Sequence, residues 1–462
     1  MVQPENRFLS DLHLTSIAVS SIAAEACRLL KKPPLVAPSE FANATIDELA
    51  KALDSSVRRI PVQGPVLGVD AWLRPFSVDW SEQELARPSN APVTNGDSDT
   101  WFVLADKDNR FVQKVEVHLN QNLRAGGVLL YLGPEQDDAD AVDLLLQAAK
   151  HVLEAKHTPF FVLLHHDSPA ASIARTLHLE AHSLRTRIID LSHCQPEPEV
   201  VLREIESSAV YTECAYQADG RRFEKSLTLL PRDKSSAGHL PFVAGDVVLV
   251  SGGAKGIAAE CALRLAQECG CTLGLIGREP FGDACSAELR GNLQRFEAKG
   301  IRFCYRAADV GDPVAIKQAV EDIEREVGPV CGLIHGAGIN EPQSLLRLAT
   351  QDFLKTMAPK VKGLEHLLEA VDPENLKSLV AFGSVIAHLG LPGEADYAWA
   401  NELLARKVSD FAQRHPYVDC LTLDWSLWSG VGMGEKLGRM ETLVQQGITP
   451  ISPELGVQGL LE

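Results

Sequence analysis

The sequence predicts an α/β protein: two doubly wound parallel-sheet subdomains in tandem, preceded by a small helical segment. Three observations predict it. Apolar runs of strand length alternate with amphipathic helical stretches from Phe102 onward. The alternation restarts at Val247, where a glycine-rich turn lies between a strand and a helix. Before residue 55 the apolar residues recur only at helical spacing.

The elements follow in order. In residues 1–54, Leu14, Ile17, Ala18, Ile22 and Ala26 line one helical face, and Ile46, Leu49, Ala50 and Leu53 line another. Residues 55–98 are mixed and turn-rich, and the run Ser89 to Ser98 has the composition of a linker. Residues 99–235 hold the first α/β unit. Its strands are expected at Phe102–Ala105, Val128–Tyr131 and Phe160–Leu164, and its helices at Ala141–Leu153 and Ala171–Ala181. The rhythm is Rossmann-like, yet no glycine-rich turn follows any of these strands. A pyrophosphate needs close backbone approach at that point, so this half is expected to bind no nucleotide. Residues 236–462 hold the second unit, from strand Val247–Val250 to strand Cys420–Asp424.

Bulk properties narrow the function. A chain of 462 residues with 45% hydrophobic content can build packed cores. A net charge of −18 disfavours nucleic acid and anionic membranes as partners. No uncharged apolar run reaches the ~18–20 residues of a membrane span, and residues 14–24 lack the flanks of a signal peptide. The ten cysteines are scattered, with Cys269-Gly-Cys271 the only close pair and no metal set completed. Reduced thiols in a cytoplasmic protein without a metal are expected.

Ser251 to Ala258 is the informative turn. Gly252, Gly253, Ala254, Lys255, Gly256 and Ile257 run from a buried strand into a helix. Glycines there let backbone amides and the helix dipole face a pyrophosphate. The second strand ends at Arg278, where an NAD enzyme usually presents a carboxylate to the ribose. Arg278 and Lys255 instead offer two cations to a 2′-phosphate, which points to NADPH.

Downstream, Lys360, Ser384, Tyr397 and Asn401 occur in that order. Tyr397 opens a stretch that reads as a helix to Phe411, and Asn401 stands one turn on, where most tyrosine-based dinucleotide reductases have lysine. Lys360, in Lys-Val-Lys-Gly, lies 37 residues before the tyrosine. On a helix Lys360 and Lys362 point about 200° apart, so only one can face the site.

These residues resemble the swapped tetrad of ketoreductase domains in polyketide and fatty-acid synthases, in the short-chain dehydrogenase/reductase superfamily. The resemblance implies that Tyr397 is the general acid, Ser384 a second donor to the ketone oxygen, Lys360 the cation that lowers the tyrosine pKa and holds the ribose, and Asn401 the residue that positions Lys360 or a relay water. It implies that Asp309 and Val310 contact adenine and that His335, Gly336, Ala337 and Gly338 form the turn beneath the cofactor, with His335 structural. Trp425 to Met433, including Gly430 and Val431, resembles the loop over the nicotinamide. The stretch from Ala174 to Leu191 resembles the truncated structural subdomain that precedes the catalytic one.

The stretches His335–Pro342, Phe382–Tyr397 and Trp425–Gly438 closely resemble the ketoreductase of enediyne-type iterative polyketide synthases; polyunsaturated fatty-acid synthases share much of the pattern. Asp11-Leu-His-Leu-Thr-Ser16-Ile resembles the acyl carrier protein motif, with Ser16 as the phosphopantetheine attachment point and Phe41 to Ile46 as the loop and N-cap before the last helix. Thr15 replaces the usual acidic residue. The implied activity is NADPH-dependent reduction of a β-ketoacyl thioester on an acyl carrier protein, among other domains of the same synthase. The alternatives are a catalytically silent docking module, a polyunsaturated fatty-acid synthase ketoreductase, and a free-standing reductase of small ketones.

Overall fold

The structure is a computed structural model that describes residues 73–86, 100–105, 109–122, 126–155, 160–181, 183–230, 240–436 and 448–462. It also describes residues 3–8, 10–12, 41 and 43–55 and scattered positions in 19–30 and 443–444. The chain divides into two compact units. One is Met1–Leu73 with Ser426–Leu460, and the other is Arg74–Trp425 with Leu461–Glu462.

In the first unit, helix α1 (Ile46–Ser55) starts at a capping box. Glu48 N donates to Thr45 Oγ1 at 3.1 Å, and Thr45 N donates to Glu48 Oε2 at 2.7 Å. Both orphan amides of the helix start are thereby satisfied. Its apolar face, Leu49 and Leu53, packs with Phe8, Val19, Ala23 and Cys27. Ser16 lies outside the described residues. The sequence reading joined residues 426–462 to the second sheet, whereas Ser426–Leu460 falls in this unit. The segment folds on itself: Trp428 bridges Ile451, and a Cβ on Gly456 would stand 2.2 Å from the Trp428 ring.

The other unit carries two sheets. The first comprises β1 (Phe76–Glu82), β2 (Trp101–Leu104), β3 (Gly127–Leu132), β4 (Phe160–His165), β5 (Arg185–Asp190), β6 (Tyr211–Tyr216) and β7 (Arg222–Leu229). Their order is β1-β7-β6-β5-β4-β3-β2. β2 to β6 are parallel, while β7 and β1 add an antiparallel edge. Helices α2 (Arg110–Asn122), α3 (Asp138–Glu154), α4 (Ala170–Glu180) and α5 (Pro198–Glu206) connect the parallel strands. β3 and β4 are buried along nearly their whole length, as strands covered on both faces must be.

β1 corrects the sequence reading, which placed residues 55–98 in a linker. Residues 76–82 pair with β7 in register from Phe76↔Leu229 to Glu82↔Phe223. The partner lies far along the chain, so no local hairpin signal announces the strand.

The second sheet comprises β8 (Val247–Ser251), β9 (Thr272–Gly277), β10 (Phe303–Ala307), β11 (Val330–His335), β12 (Ser378–Ser384) and β13 (Asp419–Trp425). Its order is β10-β9-β8-β11-β12-β13, and every pair is parallel. This is the doubly wound order whose switch point lies between β8 and β11. Helices α6 (Gly256–Cys269), α7 (Ala287–Ala298) and α8 (Pro313–Val327) make the first crossovers. α9 (Thr350–Met357), a π-helical turn (Ala358–Lys362) and α10 (Gly363–Ala370) lead to β12; α11 (Ile386–Leu389) and α12 (Ala395–Arg414) lead to β13. Helices α13 (Met433–Lys436) and α14 (Pro453–Leu461) follow.

The two sheets share a core. Val142, Leu145 and Ile173 of α3 and α4 belong to one buried cluster with Phe353 of α9 and Trp399 of α12. Phe353 and Trp399 meet edge to face, centroids 6.4 Å apart, a favoured aromatic geometry.

Candidate active site

The glycine turn sits at the switch point. Gly252 adopts φ +69, a left-handed conformation that disfavours a side chain. A Cβ there would stand 3.1 Å from Gly336 O, so the 252 turn and the 336 turn approach at backbone distance. Gly253 is held as closely: a Cβ would meet Val250 at 2.7 Å. The turn feeds α6, whose first amides have no partner in an earlier helical turn. Gly256 N donates to Glu288 Oε1 at 3.0 Å, so a carboxylate already answers part of that positive end. A narrow backbone cradle opening a helix fits a dinucleotide pyrophosphate.

At the end of β9 the two expected phosphate ligands differ. Arg278 is exposed and has no ion-pair partner among the described residues. Lys255 Nζ instead forms an ion pair with Glu279, whose carboxylate also accepts from Ser286 N and, at 2.8 Å, Ser286 Oγ. These partners hold the Glu279 carboxyl down to about 2, led by Lys255. Glu279 was not singled out in the sequence, although it directly follows Arg278. Asp309 Oδ1 accepts from Gly311 N at 2.8 Å and shapes the turn after β10, and Val310 is buried.

His335 ends β11 and is fully buried. Its Nδ1 is 2.8 Å from Ser251 Oγ, and its Nε2 is 2.9 Å from Lys360 O. Burial and the nearby Lys360 cation push its pKa down to about 3. The neutral ring thus ties the end of β8 to the π-helical turn. Gly338, in the same turn as Gly336 and Ala337, lies against the Lys360 side chain: a Cβ there would meet Lys360 Cε at 3.2 Å.

Lys360 is 3% exposed, whereas Lys362 is exposed and pairs with Glu365 at 2.9 Å. Two residues apart on a helical turn, the two lysines point to opposite sides. Lys360 Nζ donates to Phe382 O at 2.9 Å and lies 5.3 Å from the centroid of the Tyr397 ring. Burial lowers its pKa to about 8, opposed by Asp424. Tyr397 is 7% exposed at the start of α12. Burial, reinforced by Glu394 and opposed by Asn401, raises the pKa of its phenol well above the ordinary tyrosine value. The hydroxyl therefore keeps its proton.

Ser384 ends β12, buried, and its Oγ accepts from Ile386 N at 3.4 Å. Asn401 is fully buried. Asn401 Nδ2 donates to Tyr397 O at 2.6 Å, and Oδ1 has no hydrogen-bond partner. An orphaned buried acceptor one turn after the tyrosine suits a water or an ammonium.

Three further groups carried no site role in the sequence reading. Asp396 Oδ2 accepts from Thr356 Oγ1 at 2.5 Å, tying the start of α12 to α9. Asp424 Oδ2 lies 2.8 Å from His388 Nε2, and its Oδ1 lies over Gly383, where a Cβ would come within 2.0 Å. Arg175 reaches in from the first sheet. Gly430 and Val431, read as cofactor contacts, lie in the other compact unit.

Residues 246–430 match the family described as the KR domain. This stretch is similar to KR domains. Around it, polyketide synthase PksN of Bacillus subtilis is 33% identical over 233 residues, covering 49% of this chain and 4% of that synthase. One polypeptide of the polyunsaturated fatty acid synthase of a Thraustochytrium species is 35% identical over 118 residues, covering 25% of this chain and 4% of that polypeptide. The chain thus spans a small part of these relatives. Among solved structures, a ketoreductase domain from the bacillaene assembly line superposes with a TM-score of 0.62 at 21% identity, over 84% of this chain and 93% of that one. The ketoreductase from the first module of phoslactomycin biosynthesis in Streptomyces sp. HK803 gives 0.66 at 20% identity, over 83% and 89%. These likenesses show the fold. The match makes residues 246–430 similar to an oxidoreductase domain.

Proposed function

We propose that this KR domain reduces a β-ketoacyl thioester, carried on an acyl carrier protein, to the β-hydroxyacyl thioester, using NADPH. The observation that carries the proposal is the buried set around Tyr397: Lys360 beside its ring, Asn401 on its carbonyl, and Ser384 at the end of the adjoining strand. Gly252, Gly253, Ala254, Lys255, Gly256 and Ile257 would hold the pyrophosphate, Arg278 the 2′-phosphate, and Asp309 and Val310 the adenine. His335 to Gly338 would support the nicotinamide. Bound NADPH supplies a hydride.

The chain's own residues do the rest. The hydroxyls of Ser384 and Tyr397 donate to the ketone oxygen, where charge develops. Tyr397 passes its proton to that oxygen as general acid. The Lys360 ammonium lowers the cost of the phenolate that results and would hold the ribose hydroxyls. Asn401, through its unpartnered Oδ1, would hold the water that returns a proton.

A synthase context is supported by the relatives, which are polyketide and polyunsaturated fatty-acid synthases. Within it, the motifs at His335–Pro342 and Phe382–Tyr397 support an iterative, enediyne-type polyketide synthase acting in the cytoplasm. A role as a silent docking module sits poorly with a complete tetrad. Identity to the polyunsaturated fatty-acid synthase favours a second reading, the same reduction during polyunsaturated fatty-acid synthesis. The test is mass spectrometry of a β-ketoacyl thioester incubated with the intact protein and NADPH. A gain of two hydrogens is expected, and an unchanged thioester would refute the reading.

Ser16 is proposed to carry phosphopantetheine, supported by Asp11 to Ile17 and the capped helix α1. Incubation with coenzyme A and a broad phosphopantetheinyl transferase should add the arm to the Ser16 peptide. No adduct on a folded N-terminal region would reduce residues 1–54 to a helical linker.

A further inference from the structure

We propose that the first sheet is part of the ketone site: Arg175 and Glu180 of α4 are positioning residues that fix the segment 385–393 between Ser384 and Tyr397. The inference rests on the ketone reading of that site, because the segment borders whatever accepts from both hydroxyls.

The geometry is a set of buried ties. Arg175 is 3% exposed. Its Nε and Nη2 donate to Glu213 at 2.8 and 2.5 Å, which aims the guanidinium. Its Nη1 donates to Glu402 Oε2 at 2.8 Å and also to Ala387 O. One nitrogen therefore holds the residue after Asn401 on α12 and a carbonyl of α11, three residues beyond Ser384. The planar fork suits this because its donors point in fixed directions.

Glu180, the last residue of α4, repeats the device. Its Oε1 accepts from Gly393 N at 2.9 Å, and its Oε2 accepts from Leu345 N at 3.2 Å. Gly393 O in turn accepts from Gln343 N at 2.9 Å. Between the two anchors Gly390, at φ +69, lies against the α4 backbone: a Cβ there would stand 2.8 Å from Arg175 C and Thr176 N. The anchored stretch presents Leu389, 56% exposed. Both anchors are charged side chains of α4 meeting a peptide group of the segment, the stronger class of hydrogen bond.

A segment held this way fixes which face of a ketone meets the two hydroxyls, and a misplacement of about 1 Å at such a site costs on the order of 100-fold in rate. Arg175 and Glu180 touch no reacting atom, so their effect should appear in orientation.

The experiment uses the full chain with NADPH and a racemic 2-methyl-3-oxoacyl N-acetylcysteamine thioester. Glu180→Gln is near-isosteric and loses one acceptor oxygen; Arg175→Lys keeps the charge and loses the fork. Both are expected to lower kcat by about 10-fold or more and to shift the ratio of hydroxyl epimers toward unity, with NADPH affinity unchanged. Hydrogen exchange should show faster uptake in residues 385–393 and unchanged protection in β8 and β11. Unchanged epimer ratio and unchanged exchange in 385–393 in both folded variants would overturn the proposal. Changed exchange in a chain whose wild type reduces no ketone would instead sink the ketone reading while leaving the tie itself standing.

Discussion

The turns that follow β4 and β8 occupy equivalent places, each at the C-terminal end of a buried parallel strand that runs into a helix. After β4 the turn is filled by side chains. Ser168 N donates to His165 Nδ1 at 3.1 Å, Asp167 N donates to Asp190 Oδ1 at 3.2 Å, and Arg406 pairs with Asp167 at 2.6 Å. After β8 the turn is Gly252-Gly253, with its backbone against another backbone turn. The same α/β rhythm therefore gives a braced turn in one sheet and a cradle in the other. Strand and helix alternation predicts the sheet, and the residues in the turn decide whether it can hold a phosphate.

The first way to sharpen that contrast is Tyr397→Phe in the second sheet. Losing one oxyanion donor costs on the order of 10²–10³ in rate, and losing the proton source adds to it. NADPH affinity and thermal stability should stay near wild type. Turnover above about a tenth of wild type would remove Tyr397 from the mechanism.

The complementary change is Arg187→Met in β5. Arg187 is fully buried and donates to the carbonyls of Thr186, Glu204, Ile205, Ser207, Ala209 and Val210. Stranding those acceptors should cost about 3 kcal/mol or more of stability, read as a lower denaturant midpoint. The NADPH dissociation constant of the folded fraction should not move. A weaker cofactor site without loss of stability would mean that the first sheet is not a scaffold.

Arg278→Ala tests the cradle's selectivity. A charge-assisted bond to a phosphate contributes about 1.5–3 kcal/mol, so NADPH should weaken roughly 10–100-fold and NADH hardly at all. Lys255 matters less here, because Glu279 already engages it. Equal losses for both cofactors would make Arg278 a structural residue.

The smallest effect is a pH limb. Burial holds Lys360 at about 8. Its ammonium is present below that pH and lost as pH rises through it, so kcat should fall on the alkaline side of about 8. Lys360→Arg keeps its charge in this range and should abolish that limb even at reduced activity. A limb of unchanged position in Lys360→Arg would assign it to another group.

Much of this was legible in the sequence. The glycine turn, the Lys360–Ser384–Tyr397–Asn401 order and most strands carry local signals of type and spacing. What was not legible depends on distant partners. β1 pairs with a strand about 150 residues away, and its alternating FSVDWSE pattern is interrupted by charge. Arg175 in sequence is one basic residue on a helix; only packing against Ala387 and Glu402 reveals its work. Lys255 looked free for a phosphate because the carboxylate that takes it, Glu279, comes from the next strand's end. In sequence Asn401 reads as positioning Lys360 or a relay water; that its amide rests on the carbonyl one turn back, with Oδ1 left unpartnered, shows only in the folded helix.

The most direct test of the central claim, that one of the two sheets holds the cofactor and the other braces it, is the NADPH stoichiometry of the intact chain by titration calorimetry. The same titration is run on Gly252→Val, which places a branched side chain at the left-handed position facing Gly336. One equivalent is expected for the wild type and none for the folded variant. Two equivalents, or one that survives in folded Gly252→Val, would contradict the account.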